Sequence, residues 1–548
     1  MSVGAFAGTL ARKSALVQAS AEMRRPLLIS GFMATGKSSV GRRIAERCQR
    51  PFIDLDAEIE RRGGAAVSEL FATLGEAGFR GLERSVLVAL LEREQTPAPV
   101  VAVGGGALVP RDLRLLALDR SVVVTLRADL DEALRRAEGH PGKRPLLSGP
   151  GGAANARALL ELRQTAYAEA HAQVATDGRA IEDVAADVTE IWRRDGLAVA
   201  AGDRSYSVEI GQGLVGSRLK SVVGSASKVV LVSDQTVFAL HGGSAQAALG
   251  TPAICVLSPG EQHKHVGSVE GIWRAAQAAE ADRKTCFVAL GGGVVTDMTG
   301  FAAATYQRGV RWVGVPTTLL AMVDASVGGK TGVDLGPAKN AVGAFHQPGS
   351  VLCDVDLLAT EGARGFQSAL AEVVKTAIIG DPALFDLLET ETARVLERST
   401  DLVAELVRRS IRVKARIVSA DERESGLRAV LNLGHTVGHA LESQGAYTRL
   451  SHGEAVSLGL VAALKIGERL GRTPADLTER TETLLARLGL PTDVAHEPLG
   501  EAVALIGHDK KRAGKKLKFV VARGLGEVDT TDLELAELSR LTLGLAEA

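Results

Sequence analysis

Short hydrophobic runs alternate with amphipathic segments along the first two thirds of the chain. Strands are predicted at residues 27–30, 52–56, 100–103, 122–126, 205–211, 229–234, 252–257 and 286–290. Between them lie segments with the 3.6-residue apolar spacing of helices, among them 39–48, 159–171, 181–194 and 269–281. Such alternation predicts parallel sheets whose carboxyl edges bind ligands. Beyond residue 366 the pattern changes to long amphipathic helices with few strand signals.

Length and composition narrow the possible classes of protein. The 548 residues exceed what one hydrophobic core usually supports, so two or three domains are expected. A net charge of −1 and an aromatic content of 3% give no reason to expect nucleic acid or a membrane as a partner. No apolar run reaches the roughly 20 residues of a spanning helix. The four cysteines form no CxxC pair and are interpreted as buried thiols in a reducing compartment, so we expect a cytoplasmic protein.

Composition also indicates where the domains begin and end. Residues 1–25 are rich in Ala, Ser and Arg and hold one acid, Glu22. This composition is similar to that of a transit peptide, but a disordered or flexible extension, or a start at Met23, explains it equally well. Small residues and glycine dominate after Trp192, which predicts a domain boundary near residues 195–203.

The segment from Gly31 to Ser38 reads GFMATGKS and fits the phosphate-binding pattern G-x-x-x-x-G-K-[ST], between a strand and a helix. In such a loop backbone N–H groups surround phosphates, Lys37 would neutralise the β- and γ-phosphates, and Ser38 would bind Mg²⁺. Asp54 and Asp56 stand two apart in a predicted strand and so project to one side, where one suits Mg²⁺ and the other a substrate hydroxyl. The alternative for Asp56 is a helix N-cap.

Basic and glycine-rich features follow the later strands of this first region. Arg80 lies at the start of a predicted helix, Gly104-Gly105-Gly106 end a strand, and Arg144 lies in the Gly- and Pro-rich segment 139–150, which is typical of a mobile loop. Arg163 lies on a predicted helix. A lone arginine on a helix is usually solvated, whereas beside a phosphate loop it can pair with a substrate carboxylate.

The ordered motifs GFMATGKSS, FIDLD, GFRxxE, GGG, RPLL and LxxRxxxY resemble those of shikimate kinase over about residues 26–193. The resemblance implies a P-loop-type parallel α/β kinase domain at residues 26–195 that phosphorylates shikimate to shikimate 3-phosphate with Mg-ATP. It places ATP against Ala34, Thr35, Gly36, Lys37, Ser38, Ser39 and Arg144, and shikimate against Asp56, Arg80, Gly105 and Arg163. Lys37 would be catalytic, and Asp54 would stand with Ser38 near Mg²⁺. Ala34 departs from the glycine of many relatives, a difference that we expect the loop to tolerate.

The stretch from Leu290 to Pro348 is rich in candidate chemistry. A predicted strand ends in Gly291-Gly292-Gly293, and the N-terminus of the following helix favours negative charge. The stretch also holds more polar residues than a packed core requires: Asp297, Arg308, Thr317, Thr318, Asp324, Lys330, Lys339 and Asn340. We interpret it as the floor of an active site. Asp234 and Glu261, which follow earlier strands, could hold ribose hydroxyls, although the glycines lack the G-x-G-x-x-G order.

Polar residues also interrupt the predicted helices beyond residue 366. They are Glu372, Lys375, Lys414, Glu424, Arg428, Asn432, His435, His439 and His452. The four from Arg428 to His439 recur at spacings of three and four, so one helical face could carry them. Three histidines with an acid indicate a metal site, and spacing alone favours His435 with His439 as the ligand pair.

The motifs GGGVxxDxxGFxAATYxRG, PTTLLAxVDxSVGGKTG, KNxxGxFxQP, AEVVK, RxxLNxGHTxGHAxE and HGEAV resemble those of 3-dehydroquinate synthase over about residues 204–540. The resemblance implies a Rossmann-like, NAD-binding α/β half at 204–365 and an all-helical half at 366–545. Its zinc ligands would be Glu372, His435 and His452. NAD would lie against Asp234, Glu261, Lys264, Gly291, Gly292, Gly293, Asp297, Thr317, Thr318 and Lys339. The substrate would contact Arg308, Asp324, Lys330, Asn340, Lys414, Arg428, Asn432 and Lys510.

The same resemblance implies a reaction and its catalytic groups. These are Lys330, Glu424, Arg428 and His439, with Glu424 and His439 for proton transfer. The substrate, 3-deoxy-D-arabino-heptulosonate 7-phosphate, would give 3-dehydroquinate and phosphate. NAD⁺ would take a hydride from the C5 position, whose hydroxyl zinc (or cobalt) acidifies; phosphate would leave by β-elimination, the hydride would return, and an aldol step would close the ring. Family likeness also implies a homodimer through the synthase.

We therefore interpret the chain as a bifunctional enzyme, kinase first and synthase second, and three alternatives stay open. A sugar-phosphate cyclase of another cyclitol pathway fused to a small-molecule kinase is disfavoured by Arg80 and Arg163, because a cyclitol lacks a carboxylate. A scaffold with dead sites predicts missing charges, yet the charged motif residues are present. A plain NAD-dependent polyol dehydrogenase is disfavoured by the RxxLNxGHTxGH and VGGK motifs.

Overall fold

The computed structural model describes residues 23–93, 95–138, 152–336, 338–424, 426–445, 448–510 and 516–547. The chain divides into two compact units, with the boundary between Glu209 and Ile210. The extension predicted at residues 1–25 lies outside the described residues, apart from its last three. Within the described ranges, no helix is both long enough and apolar enough to cross a membrane.

The described part of the first unit contains a five-stranded parallel sheet in the order β2-β3-β1-β4-β5. Its strands are β1 Leu27–Gly31, β2 Phe52–Asp54, β3 Val100–Ala102, β4 Val122–Arg127 and β5 Ala172–Ala175. Its helices are α1 Lys37–Cys48, α2 Leu55–Gly63, α3 Val67–Glu92, α4 Arg111–Arg120, α5 Leu130–Glu138, α6 Gly152–Ala168 and α7 Ile181–Arg194.

Helices cover both faces of this sheet, which explains why its central strands β1, β3 and β4 are buried almost throughout. Side chains alternate between the faces. Leu28 belongs to the core cluster that holds Phe79, whereas Leu27 and Ile29 belong to the cluster that holds Trp192. The register aligns β1 with β3 and β4 so that their carboxyl ends share one edge, and the phosphate-binding loop follows β1 there.

The strand β7 (Tyr206–Gly211) crosses the boundary between the units and pairs antiparallel with β6 (Leu197–Val199). In the described part of the second unit, five parallel strands follow in the order β14-β11-β10-β8-β9. They are β8 Val229–Asp234, β9 Ala253–Leu257, β10 Cys286–Gly291, β11 Arg311–Pro316 and β14 Ser350–Asp354. Their helices are α8 Leu214–Val223, α9 Gln235–Val237, α10 Gly243–Leu249, α11 Val266–Ala278 and α12 Gly293–Thr305. An antiparallel hairpin, β12 Lys330–Leu335 and β13 Ala338–Phe345, precedes β14.

The remainder of the second unit is mainly helical. Its helices are α13 Ala363–Gly380, α14 Pro382–Thr390, α15 Thr392–Leu396, α16 Thr400–Ala420, α17 His435–Gln444, α18 His452–Arg469, α19 Ala475–Arg487, α20 Leu499–Lys510 and α21 Leu535–Leu543. It also contains an antiparallel hairpin that the sequence pattern did not predict, β15 Lys516–Gly524 and β16 Glu527–Glu534. The α/β fold class, with a parallel-sheet first unit and a Rossmann-like region followed by helices, is confirmed.

Two local predictions were wrong. The strand predicted at 52–56 ends at Asp54, which caps α2 by accepting a hydrogen bond from the Asp56 backbone N–H, so Asp56 lies in the first helical turn. The single helical face predicted from Arg428 to His439 does not exist. A 3₁₀ turn ends at Asn432 and α17 begins at His435 after Gly434, whose φ of 78° breaks the helix.

Candidate active sites

The phosphate-binding loop of the first unit is closed by its own lysine. Nζ of Lys37, the first residue of α1, donates hydrogen bonds to the carbonyl oxygens of Gly31 (3.0 Å) and Phe32 (2.9 Å). Ser38 Oγ donates to Oδ2 of Asp54 at 2.8 Å. The two predicted Mg²⁺ ligands are therefore neighbours, although Asp54 reaches this place from the end of another strand.

Ala34 adopts an unusual backbone conformation in this loop. Its φ of 60° lies in the left-handed region, which favours glycine, and Gly36 follows with φ 90°. A β-carbon in this region costs roughly 1–2 kcal/mol. The loop therefore accommodates Ala34, which differs from the glycine of many relatives, at a cost in backbone strain.

The turn at Gly104 to Gly106 brings together the residues that were predicted to bind shikimate. They are Asp56, Arg80, Gly105 and Arg163. A β-carbon would lie 2.7 Å from Nη2 of Arg80 if placed on Gly106, and 3.6 Å from Nη1 of Arg163 if placed on Gly105. On Gly104 it would lie 3.1 Å from Oδ1 of Asp56. Glycine therefore lets the backbone approach these charged groups closely.

Two further side chains, Glu83 and Tyr167, contact this group of residues, and no role was predicted for either of them. The buried Glu83 pairs with Arg80 at 2.6 Å, and burial raises the pKa of Glu83 although Arg80 opposes the change. Tyr167 donates from its hydroxyl to the Gly105 carbonyl at 2.7 Å. Desolvation raises the pKa of Asp56 as well, and the neighbouring Asp54 adds to it. Glu83 stands in the GFRxxE motif, so its spacing from Arg80 was the available signal. The predicted ATP contact Arg144 lies outside the described residues.

In the second unit, one carboxylate oxygen faces two imidazoles. Nε2 of His435 and Nε2 of His452 each lie 3.4 Å from Oε1 of Glu372. These donor atoms all lie within 4.8 Å of one another, on three different helices. The pair favoured by spacing, His435 with His439, is not the set that meets at Glu372. Packing of α13, α17 and α18 selects the members instead.

This set fits a divalent metal such as zinc. Oε1 of Glu372 is buried, and the described residues give it no hydrogen bond of good geometry. Nδ1 of His435 lies 3.2 Å from the carbonyl oxygen of Leu433, which favours a proton on Nδ1 and leaves Nε2 to coordinate. Burial lowers the pKa of His435 to about 3, so the imidazole is neutral, as a ligand must be.

A second carboxylate, Glu442, supports His452 from the other side. Oε2 of Glu442 lies 3.3 Å from Nδ1 of His452, and Lys339 Nζ donates to its Oε1 at 3.1 Å. Burial alone would lower the pKa of His452, but the neighbouring carboxylates of Glu372 and Glu442 outweigh burial and raise it to about 10, so a metal that binds here displaces this proton. His439 lies beside both imidazoles, with ring centroids 4.8 Å from His435 and 5.9 Å from His452. Partial desolvation lowers the pKa of His439, so it can accept a proton.

A cleft of about 590 Å³ in the same unit is lined by residues of the β12–β13 hairpin, of the helices α12 and α16, and of the turns at 321–325 and 427–432. Its charged and amide-bearing members are Asp297, Asp324, Lys330, Asn340, Lys414 and Arg428. Nζ of Lys264 lies 2.6 Å from both Oδ2 of Asp297 and Oδ1 of Asn340. The cleft is therefore supplied with both signs of charge.

Two further ion pairs place lysines in this cleft. Lys414 Nζ lies 2.6 Å from Oδ1 of Asp324, and Lys330 Nζ lies 2.5 Å from Oε2 of Glu424. Burial lowers the pKa of Lys414. Burial alone would raise the pKa of Glu424, but Lys330 and Asn432 outweigh burial and lower it, so Glu424 is ionised. Asp324 lies in a π-helical turn, 321–325, of the kind often found at functional sites.

The predicted NAD contacts lie at the carboxyl ends of strands. Gly291 ends β10, Gly292 caps α12, and a β-carbon on Gly292 would lie 3.4 Å from Thr318. Oγ1 of Thr317 is buried without a hydrogen-bond partner among the described residues. Burial raises the pKa of Asp297 to about 6.

Other predicted contacts have local roles or lie elsewhere. Oδ1 of Asp234 accepts hydrogen bonds from two backbone N–H groups and caps α9. Glu261 lies 3.7 Å from Lys339. Arg428, predicted as a bidentate fork for the substrate, is buried and donates to the carbonyl oxygens of Gly328 and Glu422.

Arg308 is exposed, and it is not among the described residues that line the cleft. Lys510 ends α20, and its side chain lies outside the described part of the chain.

Comparison with known proteins identifies the second unit. Residues 254–368 match the family model described as 3-dehydroquinate synthase N-terminal, and residues 369–512 match the C-terminal model of the same enzyme. The 3-dehydroquinate synthase of Caulobacter vibrioides is 46% identical over 345 residues, which cover 60% of this chain and 93% of that protein. The chain belongs to the 3-dehydroquinate synthase family. A second member, from Halorhodospira halophila, is 44% identical over 333 residues, which cover 61% of this chain and 94% of its own.

The first unit matches a different family model. Residues 33–193 match the model described as shikimate kinase. The chain therefore joins a shikimate kinase to a 3-dehydroquinate synthase, which confirms the bifunctional interpretation.

A solved structure supports the fold of the synthase. It is 2-epi-5-epi-valiolone synthase from Streptomyces hygroscopicus subsp. jinggangensis with NAD⁺ and Zn²⁺ bound, which superposes with a TM-score of 0.57 at 29% identity and covers 62% of this chain and 97% of its own. The 3-dehydroquinate synthases are more similar, at 44–46% identity, so the alternative of another cyclitol pathway is not favoured.

Proposed function

We propose that the synthase converts 3-deoxy-D-arabino-heptulosonate 7-phosphate to 3-dehydroquinate and phosphate at the cleft that contains Asp324, whose carboxylate interacts electrostatically with Glu372. The observation that carries the proposal is the buried Oε1 of Glu372, which faces Nε2 of both His435 and His452. These three residues would hold zinc or cobalt, which supplies Lewis-acid polarisation of a substrate hydroxyl when bound. NAD⁺, bound at the glycine turn of β10, supplies a hydride acceptor and donor.

The remaining residues of the cleft would either bind the substrate or transfer protons. Lys330, about half exposed, and the buried Lys414 offer positive charge to the substrate phosphate and carboxylate. Asp324 would accept hydrogen bonds from the hydroxyl groups of the substrate, and Asn340 could both accept hydrogen bonds from them and donate to them. Arg428 holds the backbone at Gly328, just before Lys330, and so positions that lysine.

Glu424 and His439 are the proton-transfer groups of this proposal. Lys330 keeps Glu424 ionised, so the carboxylate can accept a proton from the substrate. His439 lies next to the proposed metal ligands, and partial desolvation lowers its pKa, so the neutral imidazole can accept the proton of a hydroxyl bound there. The two groups differ in their environment, which lets them act on different atoms of the substrate.

For the first unit we propose transfer of the γ-phosphoryl group of ATP to shikimate. Arg80 and Arg163 would bind the shikimate carboxylate, and Asp56 would accept a hydrogen bond from the reacting hydroxyl. Lys37 would leave the carbonyls of Gly31 and Phe32 to contact the phosphates. Ser38 with Asp54 would hold Mg²⁺, which neutralises phosphate charge when bound.

We also propose a cytoplasmic location and a homodimer through the synthase. The four cysteines, at positions 48, 255, 286 and 353, are unpaired thiols, which suits a reducing compartment. The homodimer rests on family likeness, and light scattering of the purified protein would test it.

The experiment tests each activity of the full-length protein separately. Phosphate release is measured from the heptulosonate phosphate with NAD⁺ and zinc, and ADP is measured from shikimate with Mg-ATP. Failure to release phosphate would refute the synthase proposal, and failure to form ADP would refute the kinase proposal. We expect Lys37→Ala to abolish ADP formation and Glu372→Gln to abolish phosphate release, each with the other activity unchanged.

A further inference from the structure

The segment that the sequence indicates as a boundary packs as part of the first unit. The side chains from Leu197 to Ala201 are all buried, with at most 9% exposed. Ala198 and Ala200 belong to the same core cluster as Leu113 and Ala117 of α4. A flexible linker between domains would be exposed and would share few core contacts. Residues 195–205, called the junction below, are therefore a structural element of the kinase.

Polar contacts hold both ends of the junction. Nε of Arg25 pairs with Oδ1 of Asp195 at 2.6 Å, and its Nη2 donates to the Gly196 carbonyl at 2.6 Å. At the other end Ser205 Oγ accepts from the Ala201 N–H at 2.9 Å and donates to the Gly202 carbonyl at 2.7 Å. The backbone N–H of Gly202 is thereby presented in a fixed direction.

That N–H reaches a buried ion pair. Gly202 N donates to Oε1 of Glu169 at 3.1 Å, and Oε2 of Glu169 lies 2.7 Å from Nε of Arg114. Nη1 of Arg114 donates to the carbonyls of Leu108 and Val109, both at 2.7 Å. The side chains of Arg114 and Glu169 are 5% and 2% exposed. Arg111, which is exposed, places its Nη2 3.9 Å from Oε1 of the same carboxylate.

The pair is next to the shikimate pocket on both sides. Leu108 and Val109 follow the turn at Gly104 to Gly106 after one residue, Ala107. Glu169 follows Tyr167 by two residues, and the Tyr167 hydroxyl donates to the Gly105 carbonyl. Charge-assisted hydrogen bonds in a buried environment are strong and geometrically specific. Movement of the junction would therefore move the backbone that follows the glycine turn.

We propose that Glu169 is a positioning residue of the kinase that couples the junction to the shikimate pocket. It acts through Arg114 on the glycine turn and does not contact the substrate. The segment through which the chain continues to the synthase thus contributes to shikimate binding. The proposal rests on the proposed kinase activity at the glycine turn.

The test compares three substitutions in the full-length enzyme. We expect Glu169→Gln to raise the KM for shikimate about tenfold, because small displacements of binding groups have effects of this order or larger, with the KM for ATP and the synthase rate unchanged. Ser205→Ala, which loosens the junction turn without changing the buried pair, should raise the same KM by a smaller factor. Asp187→Asn is the matched control, since it also removes the charge of an acid that pairs with an arginine, Arg179 at 2.7 Å, but at an exposed position of α7 outside the junction. It should leave the KM unchanged.

Amide hydrogen exchange gives a second readout that needs no activity. A peptide covering residues 104–110 should exchange faster in Glu169→Gln and Ser205→Ala than in wild type or Asp187→Asn. An unchanged KM and unchanged exchange in both variants would overturn the proposal, as would an equal effect of Asp187→Asn. If Glu169→Gln fails to fold, Ser205→Ala decides by the same two measurements. Absence of shikimate-dependent ADP in wild type would instead refute the kinase function, while exchange still tests the coupling.

Discussion

Nζ of Lys375 lies 2.5 Å from Oε2 of Glu372, one helical turn away, and neither side chain is more than 3% exposed. Burial alone would raise the pKa of Glu372, but Lys375 and the two imidazoles outweigh it and hold the pKa well below its usual range. The lysine therefore keeps the carboxylate ionised and fixes one of its oxygens. The other oxygen is left to face His435 and His452.

We expect Lys375→Met to destabilise the metal-free synthase by about 3 kcal/mol, because it leaves a buried carboxylate uncompensated. Zinc should recover more stability in the variant than in wild type, since the cation replaces the missing charge. Urea unfolding of the second unit with and without zinc measures both effects. Lys465→Met is the control; it removes a partly exposed pair with Glu482 and should cost less than about 1 kcal/mol. Equal zinc stabilisation of Lys375→Met and wild type would contradict the assignment.

Substitutions of His439 and His452 should show which of the two residues binds the metal and which transfers a proton. His452→Ala removes a proposed ligand, so bound zinc, measured by elemental analysis, should fall to near background. His439→Ala should keep its zinc and lose about 10²–10⁴-fold in kcat, which is the usual contribution of a proton-transfer group. The reverse outcome, with zinc lost only from His439→Ala, would favour the ligand pair that spacing alone predicts.

Glu361 should make stability depend on pH. Burial raises its pKa to about 7, against the opposing hydrogen bond that Oε2 accepts from Leu319 N–H at 2.9 Å. The folded protein then holds this proton between pH 4.5 and 7 while the unfolded chain releases it, so stability falls as pH rises through this window. Glu361→Gln keeps an acceptor and cannot ionise.

The stability of Glu361→Gln relative to wild type should therefore increase by about 2 kcal/mol from pH 5 to pH 8, measured by urea unfolding. Glu479→Gln, at an exposed position of α19, is the control and should show no such change. A constant difference between Glu361→Gln and wild type at both pH values would show that Glu361 is ionised throughout.

Ala34→Gly should stabilise the kinase. The change relieves a left-handed backbone conformation, and we expect a gain of about 1 kcal/mol in the free energy of unfolding. Thermal unfolding without nucleotide measures it. Ala57→Gly, at an exposed position of α2, should instead cost up to about 1 kcal/mol. Destabilisation by both substitutions would mean that the loop holds Ala34 without strain.

Much of the fold could be predicted because its signals are local. The strands around the phosphate loop and before Gly291 are short apolar runs, and their alternation with helices requires parallel sheets. The positions at which a helix is interrupted were harder to predict. The helix that seemed to run from Arg428 to His439 is interrupted at Gly434, where a β-carbon would lie 2.9 Å from the backbone of Leu460. That contact depends on a neighbouring helix, so periodicity could not indicate it.

The sequence by itself determined which chemical groups this protein has: a phosphate loop, a glycine-rich strand end, three histidines and their acids. Ordered motifs also determined both families. Only the tertiary structure decided which of these groups meet. It brought Glu372 against both His435 and His452, placed Glu442 beside His452, and packed the junction against the kinase core. The physical reason is that such contacts join residues far apart in the chain, so they depend on how whole helices and strands pack.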